Sequence, residues 1–84
     1  MYKLEITATA KIQLKQIEKT YEQNAINNAF REIKEDPFVG KPLSRELTGR
    51  FSFRVGVYRI IYKVNKKDKT IDVLTAGHRA TVYE

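Results

Sequence analysis

The sequence predicts an α+β fold in which an N-terminal strand and an antiparallel helical hairpin precede an antiparallel sheet of three to four strands. Apolar residues recur at helical spacing in the first half of the chain, whereas β-branched and aromatic residues dominate the second half. A loop that contains both prolines separates the halves. A chain of 84 residues has the size of one domain. We therefore expect a single domain over residues 1–84, with its helices on one face of the sheet.

The first half contains one predicted strand and two predicted helices. Residues 2–6 alternate between polar and apolar side chains, which is typical of a short strand. Residues 8–19 and 20–35 each place apolar side chains along one helical face. The second helix ends at Asp36, because the residue before Pro37 avoids helical geometry. Two helices with so short a connection are expected to pack as a hairpin.

The second half contains three predicted strands, at residues 51–55, 58–64 and 71–76. They follow a connecting loop at residues 37–49, and a polar turn at residues 65–69 separates the last two strands. Strands joined by short turns run antiparallel, so these segments form the predicted sheet.

The net charge of +6 is concentrated in the second half of the chain. Residues 1–40 carry six basic and six acidic side chains, whereas residues 41–84 carry ten basic and four acidic ones. Five of the six arginines lie in this second part. Arginine presents a planar fork of donors that fits phosphate oxygens. The imbalance therefore favours a polyanionic partner, and single-stranded or loop RNA fits better than duplex DNA because no DNA-binding motif is found.

Composition excludes several other classes of protein. Cysteine is absent, which excludes disulfides and thiolate metal sites. The single histidine, His78, leaves no histidine pair for acid–base chemistry. No apolar run reaches the roughly 18–20 residues of a membrane-spanning helix, and no signal-peptide pattern opens the chain. We therefore expect a cytoplasmic protein that uses neither a metal nor a cofactor.

Gly56 and Val57 predict a two-residue hairpin turn, and glycine in the first position suits a type II′ turn. In the resulting register, Arg54 lies opposite Arg59, and apolar side chains fill the other face of the ribbon. The polar face of the hairpin carries Arg50, Ser52, Arg54, Arg59 and Lys63. Like charges directly opposite each other cost up to roughly 1 kcal/mol, so the pair favours an anion-binding site over a purely structural surface.

The C-terminal segment adds the candidates for proton transfer. RNA can be cut without metal when its 2′-hydroxyl attacks the neighbouring phosphate and cations stabilise the charge that develops. A phenol near several arginines would have its pKa lowered from about 10, so Tyr83 is a candidate base beside Arg79, and His78 is a second titratable group. The alternative is that Tyr83 holds the terminus against the core and that His78 is a packing residue.

These residues resemble the RelE branch of the RelE/ParE toxin superfamily. The resemblance lies in the segment VGVYRIIY at residues 55–62, preceded by KPL at 41–43 and LTG at 47–49, and followed by GHR at 77–79 and VY at 82–83. It covers essentially the whole chain, including its length and the order of its elements. It implies a RelE-like, microbial ribonuclease-type fold and the toxin of a type II toxin–antitoxin system.

The resemblance also implies an activity and a set of site residues. RelE-like toxins are metal-independent endoribonucleases that enter the ribosomal A site and cut mRNA. On this resemblance Arg59 and Arg79 bind the scissile phosphate, Arg54 supports charge, Tyr83 is the base and His78 assists. The candidate RNA-binding residues are Arg45, Arg50, Ser52 and Lys63. Ser52 departs from the family pattern, which has lysine at that position.

The expected partners are the ribosome, mRNA and a cognate antitoxin whose acidic or amphipathic segment wraps the toxin. Two alternative functions remain open at this stage. A ParE-like DNA gyrase poison would share the fold, and a non-catalytic module would bind only RNA or the antitoxin.

Overall fold

Two helices and one five-stranded sheet make up the computed structural model, which describes residues 1–43 and 49–78. The elements in chain order are β1 (Lys3–Ile6), α1 (Ala8–Lys15), α2 (Thr20–Glu35), β2 (Lys41–Pro42), β3 (Arg50–Val55), β4 (Tyr58–Asn65) and β5 (Thr70–His78). The predicted α+β fold is confirmed. Neither helix of the described ranges is long and apolar enough to cross a membrane.

The sheet is mixed, with the strand order β1-β5-β4-β3-β2. β1 pairs in parallel with β5, and the other neighbours pair antiparallel. The prediction of three to four antiparallel strands therefore undercounts the sheet. It missed the two-residue strand β2 at one edge, and it did not foresee that β1 lies parallel at the other, because a parallel neighbour is reached through a crossover that strand patterning does not reveal.

Thr7 and Gln13 fix α1 to β5. The Thr7 hydroxyl caps the helix by accepting from the Ala10 N–H at 3.3 Å, and it donates to the Val73 carbonyl oxygen at 2.9 Å. One turn and a half later, the Gln13 Oε1 atom accepts from the Ala76 N–H at 2.8 Å. These contacts attach the first helix to the last strand, across more than 60 residues of sequence.

The hydrophobic core lies between the helices and one face of the sheet. The apolar face predicted for α2 is confirmed, because its four inward residues are buried. The buried core residues are Ala10, Ile17, Ile26, Ala29, Phe30, Ile33, Ile60, Tyr62, Ile71, Val73 and Ala76. Burying one large apolar side chain contributes about 1.5–3 kcal/mol, so the side chains on this face stabilise the fold.

The β3–β4 hairpin has the register that its sequence predicts. Val55 pairs with Tyr58, and Arg54 pairs with Arg59. Gly56 has a φ of +57°, and Lys69 is the one non-glycine residue of the described ranges with a positive φ. Val57 therefore has a negative φ, and this combination is the one that a type II′ turn requires.

A β-bulge interrupts the pairing of β4 with β5. Ile61 pairs with Thr75 and Tyr62 pairs with Val73, so Leu74 is an extra residue on β5. An extra residue reverses the faces to which the following side chains point. The carbonyl oxygens of Val73 and Leu74 both lie within hydrogen-bond distance of the Thr7 hydroxyl, at 2.9 and 3.1 Å.

Candidate nucleic-acid interface

The face of the sheet opposite α1 and α2, which we call the outer face, carries the predicted basic residues of the hairpin. Arg50 pairs with Lys63, Ser52 with Ile61, and Arg54 with Arg59. Their neighbours along each strand, such as Ile60 and Tyr62, are in the core. The predicted grouping of Arg50, Ser52, Arg54, Arg59 and Lys63 on one face is therefore confirmed.

Arg54 and Arg59 form the centre of this group. Directly opposed residues of antiparallel strands have Cβ atoms about 4.5–5.5 Å apart, so the two side chains leave the sheet side by side. Arg54 is exposed, whereas Arg59 is half-buried and its Nε atom is buried. On its other side, Arg59 pairs with Gly77 of β5.

A cleft of about 310 Å³ opens beside this arginine pair. Its lining includes the cations Lys41, Arg54 and Arg59 and the apolar residues Val39 and Leu43. The described residues that line it are Val39, Gly40, Lys41, Leu43, Ser52, Phe53, Arg54 and Arg59. Among these described lining residues there is no carboxylate, imidazole or phenol, so the lining supplies charge but not a proton acceptor of ordinary basicity.

Lys41 is a cation of the outer face that the sequence did not predict. It lies on β2 directly opposite Ser52, and its side chain is exposed. A two-residue strand that includes a proline has no periodicity to detect. The one available signal was its place in the KPL segment at residues 41–43.

Tyr62 holds the loop that leads to Lys41. The Tyr62 hydroxyl donates to the Pro37 carbonyl oxygen at 2.8 Å and accepts from the Gly40 N–H at 3.1 Å. We call these two hydrogen bonds the Tyr62 latch. A Cβ atom at Gly40 would lie 2.5 Å from the hydroxyl oxygen, so the close approach requires glycine. Burial raises the pKa of Tyr62, and the Gly40 N–H partly opposes that effect.

His78 lies on the helix side of the sheet, away from the arginine pair. It pairs with Tyr58, and the two rings meet edge to face with centroids 6.0 Å apart. The Tyr58 hydroxyl in turn donates to Glu22 of α2 at 3.0 Å, and burial followed by this contact raises the pKa of Tyr58. Strict alternation from Asp72 would have placed His78 on the outer face, and the bulge at Leu74 reverses it. The structure thus does not bring His78 together with Arg59.

Three predicted site residues, Arg45, Arg79 and Tyr83, lie outside the described residues. Their roles stay predictions. Within residues 1–43 and 49–78, no three histidine or acidic side chains are grouped as a metal site would need.

The charges of the outer face are divided between two regions. The cationic half comprises Lys41, Arg50, Arg54, Arg59 and Lys63 on β2, β3 and β4. The mixed half comprises Lys3 and Glu5 of β1 and Asp72 of β5. Asp72 pairs with both Glu5 and Lys63, so it marks the boundary between the halves. A polyanion would be attracted to the first region and repelled at this boundary.

Comparison with known proteins assigns a family to this fold and surface. Residues 4–83 match the family described as the ParE toxin of the type II toxin–antitoxin system parDE. The chain belongs to the RelE/ParE toxin superfamily. Toxin RelG of Mycobacterium tuberculosis is 36% identical to this superfamily member over 98% of the chain and 95% of the relative. Toxin RelE of the same organism is 28% identical over 98% of the chain and 86% of the relative.

Solved structures of RelE/ParE toxins have the same fold. The toxin–antitoxin complex RelBE2 of M. tuberculosis aligns with a TM-score of 0.80 and 35% identity, over 93% of this chain and 98% of that one. The YoeB/ParE toxin of Agrobacterium tumefaciens aligns with a TM-score of 0.80 and 24% identity, over 92% and 98% of the two chains. The predicted resemblance is confirmed, and the chain is a toxin of the type II class.

Proposed function

We propose that this toxin cuts mRNA in the ribosomal A site without a metal ion and thereby stops translation. The observation that carries the proposal is the Arg54–Arg59 pair, which lies across two strands beside the cleft and within the cationic half. Two guanidinium groups placed side by side, at a cost in stability, fit the oxygens of one phosphate. The relatives named RelG and RelE support the assignment to this branch.

The proposed reaction is an internal transfer within the RNA. The 2′-oxygen forms a bond to the neighbouring phosphorus, the bond from phosphorus to the 5′-oxygen breaks, and a 2′,3′-cyclic phosphate and a 5′-hydroxyl result. The 2′-hydroxyl loses a proton to a base, and the leaving oxygen gains one. Arg54 and Arg59 would stabilise the extra negative charge on the phosphate oxygens. Tyr83 and Arg79 keep the roles of base and phosphate ligand that the resemblance implies.

We propose that the reaction also depends on the ribosome. The described residues of the cleft supply cations that face the charge on the phosphate. The remaining catalytic work is positioning of the 2′-hydroxyl in line with the phosphate, and ordered positioning of this kind contributes about 7–11 kcal/mol in favourable cases. We propose that the ribosome supplies this positioning by holding the mRNA. The site of action would then be the cytoplasm.

Primer extension on programmed ribosomes tests the proposal. Wild-type toxin and Arg31→Ala should each produce a cut in the A-site codon, because Arg31 is an exposed residue of α2 on the other side of the sheet. Arg59→Ala should cut about 10²–10³-fold more slowly, which is the usual loss for one transition-state donor. Uncut mRNA with excess wild-type toxin, or equal cutting by wild type and Arg59→Ala, would contradict the proposal.

The match to the ParE family keeps a gyrase poison as the second candidate. A supercoiling and DNA-cleavage assay with purified gyrase separates the two. Inhibition of gyrase together with intact mRNA on ribosomes would replace the first proposal by the second. Salt-sensitive RNA binding with neither activity would leave the non-catalytic binding module.

A cognate antitoxin completes the proposed system, as it does in the solved RelBE2 complex. The chain carries a net charge of +6, and five cations lie on the cationic half. We propose that an acidic or amphipathic antitoxin segment wraps the toxin and neutralises this surface. Co-expression with a small reading frame that lies beside this gene and encodes such a segment should restore growth and yield a complex that withstands purification.

A further inference from the structure

The cleft beside the arginine pair is lined by both cationic and apolar residues. Charge alone could attract a polyanion to a flat surface. This site is instead a cleft, and the apolar residues Val39 and Leu43 line it together with Lys41, Arg54 and Arg59. Its volume of about 310 Å³ lies at the lower end of the range for small-ligand sites. The space therefore suits one compact unit that has both an anionic and an apolar part.

We infer that the cleft binds one nucleotide of a single-stranded RNA, with Lys41 as a third phosphate ligand and with the base against Val39 and Leu43. The inference rests on the proposed function and names a subsite within it. A nucleotide is the unit of RNA with this division, because its phosphate is charged and its base has two apolar faces.

The position of Lys41 supports its role as the third ligand. It pairs with Ser52, whose small side chain leaves space between Lys41 and the residues of β4. Lys41 and Arg54 therefore approach the cleft from adjacent strands, and Arg59 approaches from the next strand. Strands lie about 4.8 Å apart, so the three cations are spread over two strand spacings. One phosphate group and the next phosphate along the RNA can contact all three.

Hydrogen bonds hold in place the segment that carries the two apolar lining residues. Val39 is 45% exposed although it lies in a structured segment. Its N–H donates to the Asp36 carbonyl oxygen at 3.1 Å, and the adjoining Gly40 is fixed by the Tyr62 latch. Leu43 is fixed in turn, because its N–H donates to the Arg50 carbonyl oxygen at 2.9 Å. The segment thus presents apolar surface to solvent on a rigid support, which lowers the entropic cost of binding a base.

Binding of a 2′-O-methyl RNA oligonucleotide, which cannot be cleaved, tests the subsite by fluorescence anisotropy over a series of KCl concentrations. Lys41→Ala should reduce the slope of log affinity against log salt by about 0.7, the value for one lost phosphate contact on a single strand. Lys41→Arg should restore the slope. The matched control is Lys11→Ala, which removes the same charge from an exposed position on α1.

Val39→Ser tests the base contact separately from charge. It should weaken RNA binding about two- to fivefold through lost apolar contact and leave the salt slope unchanged. Inorganic polyphosphate, which has charge but no bases, should bind wild type and Val39→Ser equally. Circular dichroism of each variant checks that the fold is retained, since both substituted side chains are exposed.

Three outcomes would overturn the inference: identical slopes for Lys41→Ala and Lys11→Ala, equal RNA affinity of Val39→Ser and wild type, or tighter binding of poly-glutamate than of RNA. These results are distinguishable from failure of the proposed function. Ribosomal cleavage that depends on Arg59 but not on Lys41 would reject the subsite alone. A Lys41-dependent salt slope without any ribosomal cleavage would reject the proposed activity alone.

Discussion

The two halves of the outer face lie on the same side of one sheet, but they differ in net charge and in whether they border a cleft. The cationic half carries five basic side chains and borders a cleft. The mixed half carries Lys3, Glu5 and Asp72 and has more acid than base. Because both halves cover the same core, stability does not require the difference. The comparison supports the proposal that the basic side chains of β2, β3 and β4 bind a ligand.

The cationic half also contains a contact that structure alone would avoid. Arg54 and Arg59 are directly opposed, whereas Lys63 of the same strand is opposed on one side by Asp72. Lys63 thus has an acidic neighbour on β5, whereas Arg59 has glycine at the corresponding place.

The largest effect is expected from removing the central cation. Arg59→Ala should lower ribosomal cleavage about 10²–10³-fold, because a lost donor to the developing charge is not replaced by water in a partly desolvated site. Lys3→Ala removes one cation from the mixed half of the same face and should leave cleavage within about twofold. Equal losses of cleavage activity in the two variants would show that cleavage depends on the total charge of the protein and not on which half of the outer face carries it.

The next largest effect concerns the latch that holds the edge of the cationic half. Tyr62→Phe removes both hydrogen bonds of the latch, and we expect it to lower the free energy of unfolding by about 1–3 kcal/mol. Tyr58→Phe is the control, because that hydroxyl bonds to Glu22 in a half-exposed position and should cost less. Urea denaturation of the three proteins measures the difference, and equal costs would contradict a special role for the latch.

The latch also predicts a dependence on pH. Burial raises the pKa of Tyr62 above its unfolded value, so the folded state holds the phenolic proton more tightly. The resulting stability is fully present below about pH 10 and is lost as the pH rises through the raised pKa. The difference in unfolding free energy between wild type and Tyr62→Phe should therefore narrow above about pH 10. A constant difference would contradict this account.

A smaller effect, with the opposite sign, is expected from relieving the like-charge pair. Arg54→Thr should raise the free energy of unfolding by up to about 1 kcal/mol, because it removes the repulsion and adds a residue that favours strands. The same variant should weaken RNA binding. Loss of both RNA binding and stability would indicate that Arg54 stabilises the fold. It would contradict the claim that the like-charge pair is present for binding.

The smallest effect is expected at the boundary between the halves. Asp72 lies two strands from Arg50, and at about 10 Å in water one charge contributes about 0.4 kcal/mol. Asp72→Asn should therefore raise affinity for a single-stranded RNA by about twofold at low salt, and added salt should abolish the gain. A decrease in affinity would show that Asp72 orders Lys63 for binding and does not act as a barrier.

The hairpin was predictable from sequence because local rules determine it. Gly56 selects the turn, and the turn determines that Arg54 meets Arg59. The same is true of α2, whose apolar spacing specifies its buried face. What escaped prediction depends on long-range contacts. Lys41 enters the site through a two-residue strand without periodicity, and the one extra residue at Leu74 moves His78 to the other face.

The most direct test of the central claim is to map where RNA touches the protein. Amide chemical shifts of labelled toxin, recorded during titration with a 2′-O-methyl RNA oligonucleotide, report contact residue by residue. We predict the largest shifts at Lys41, Arg54 and Arg59, with little change at Lys3 and Glu5 on the same face. Shifts centred on the mixed half or on α2 would contradict the account.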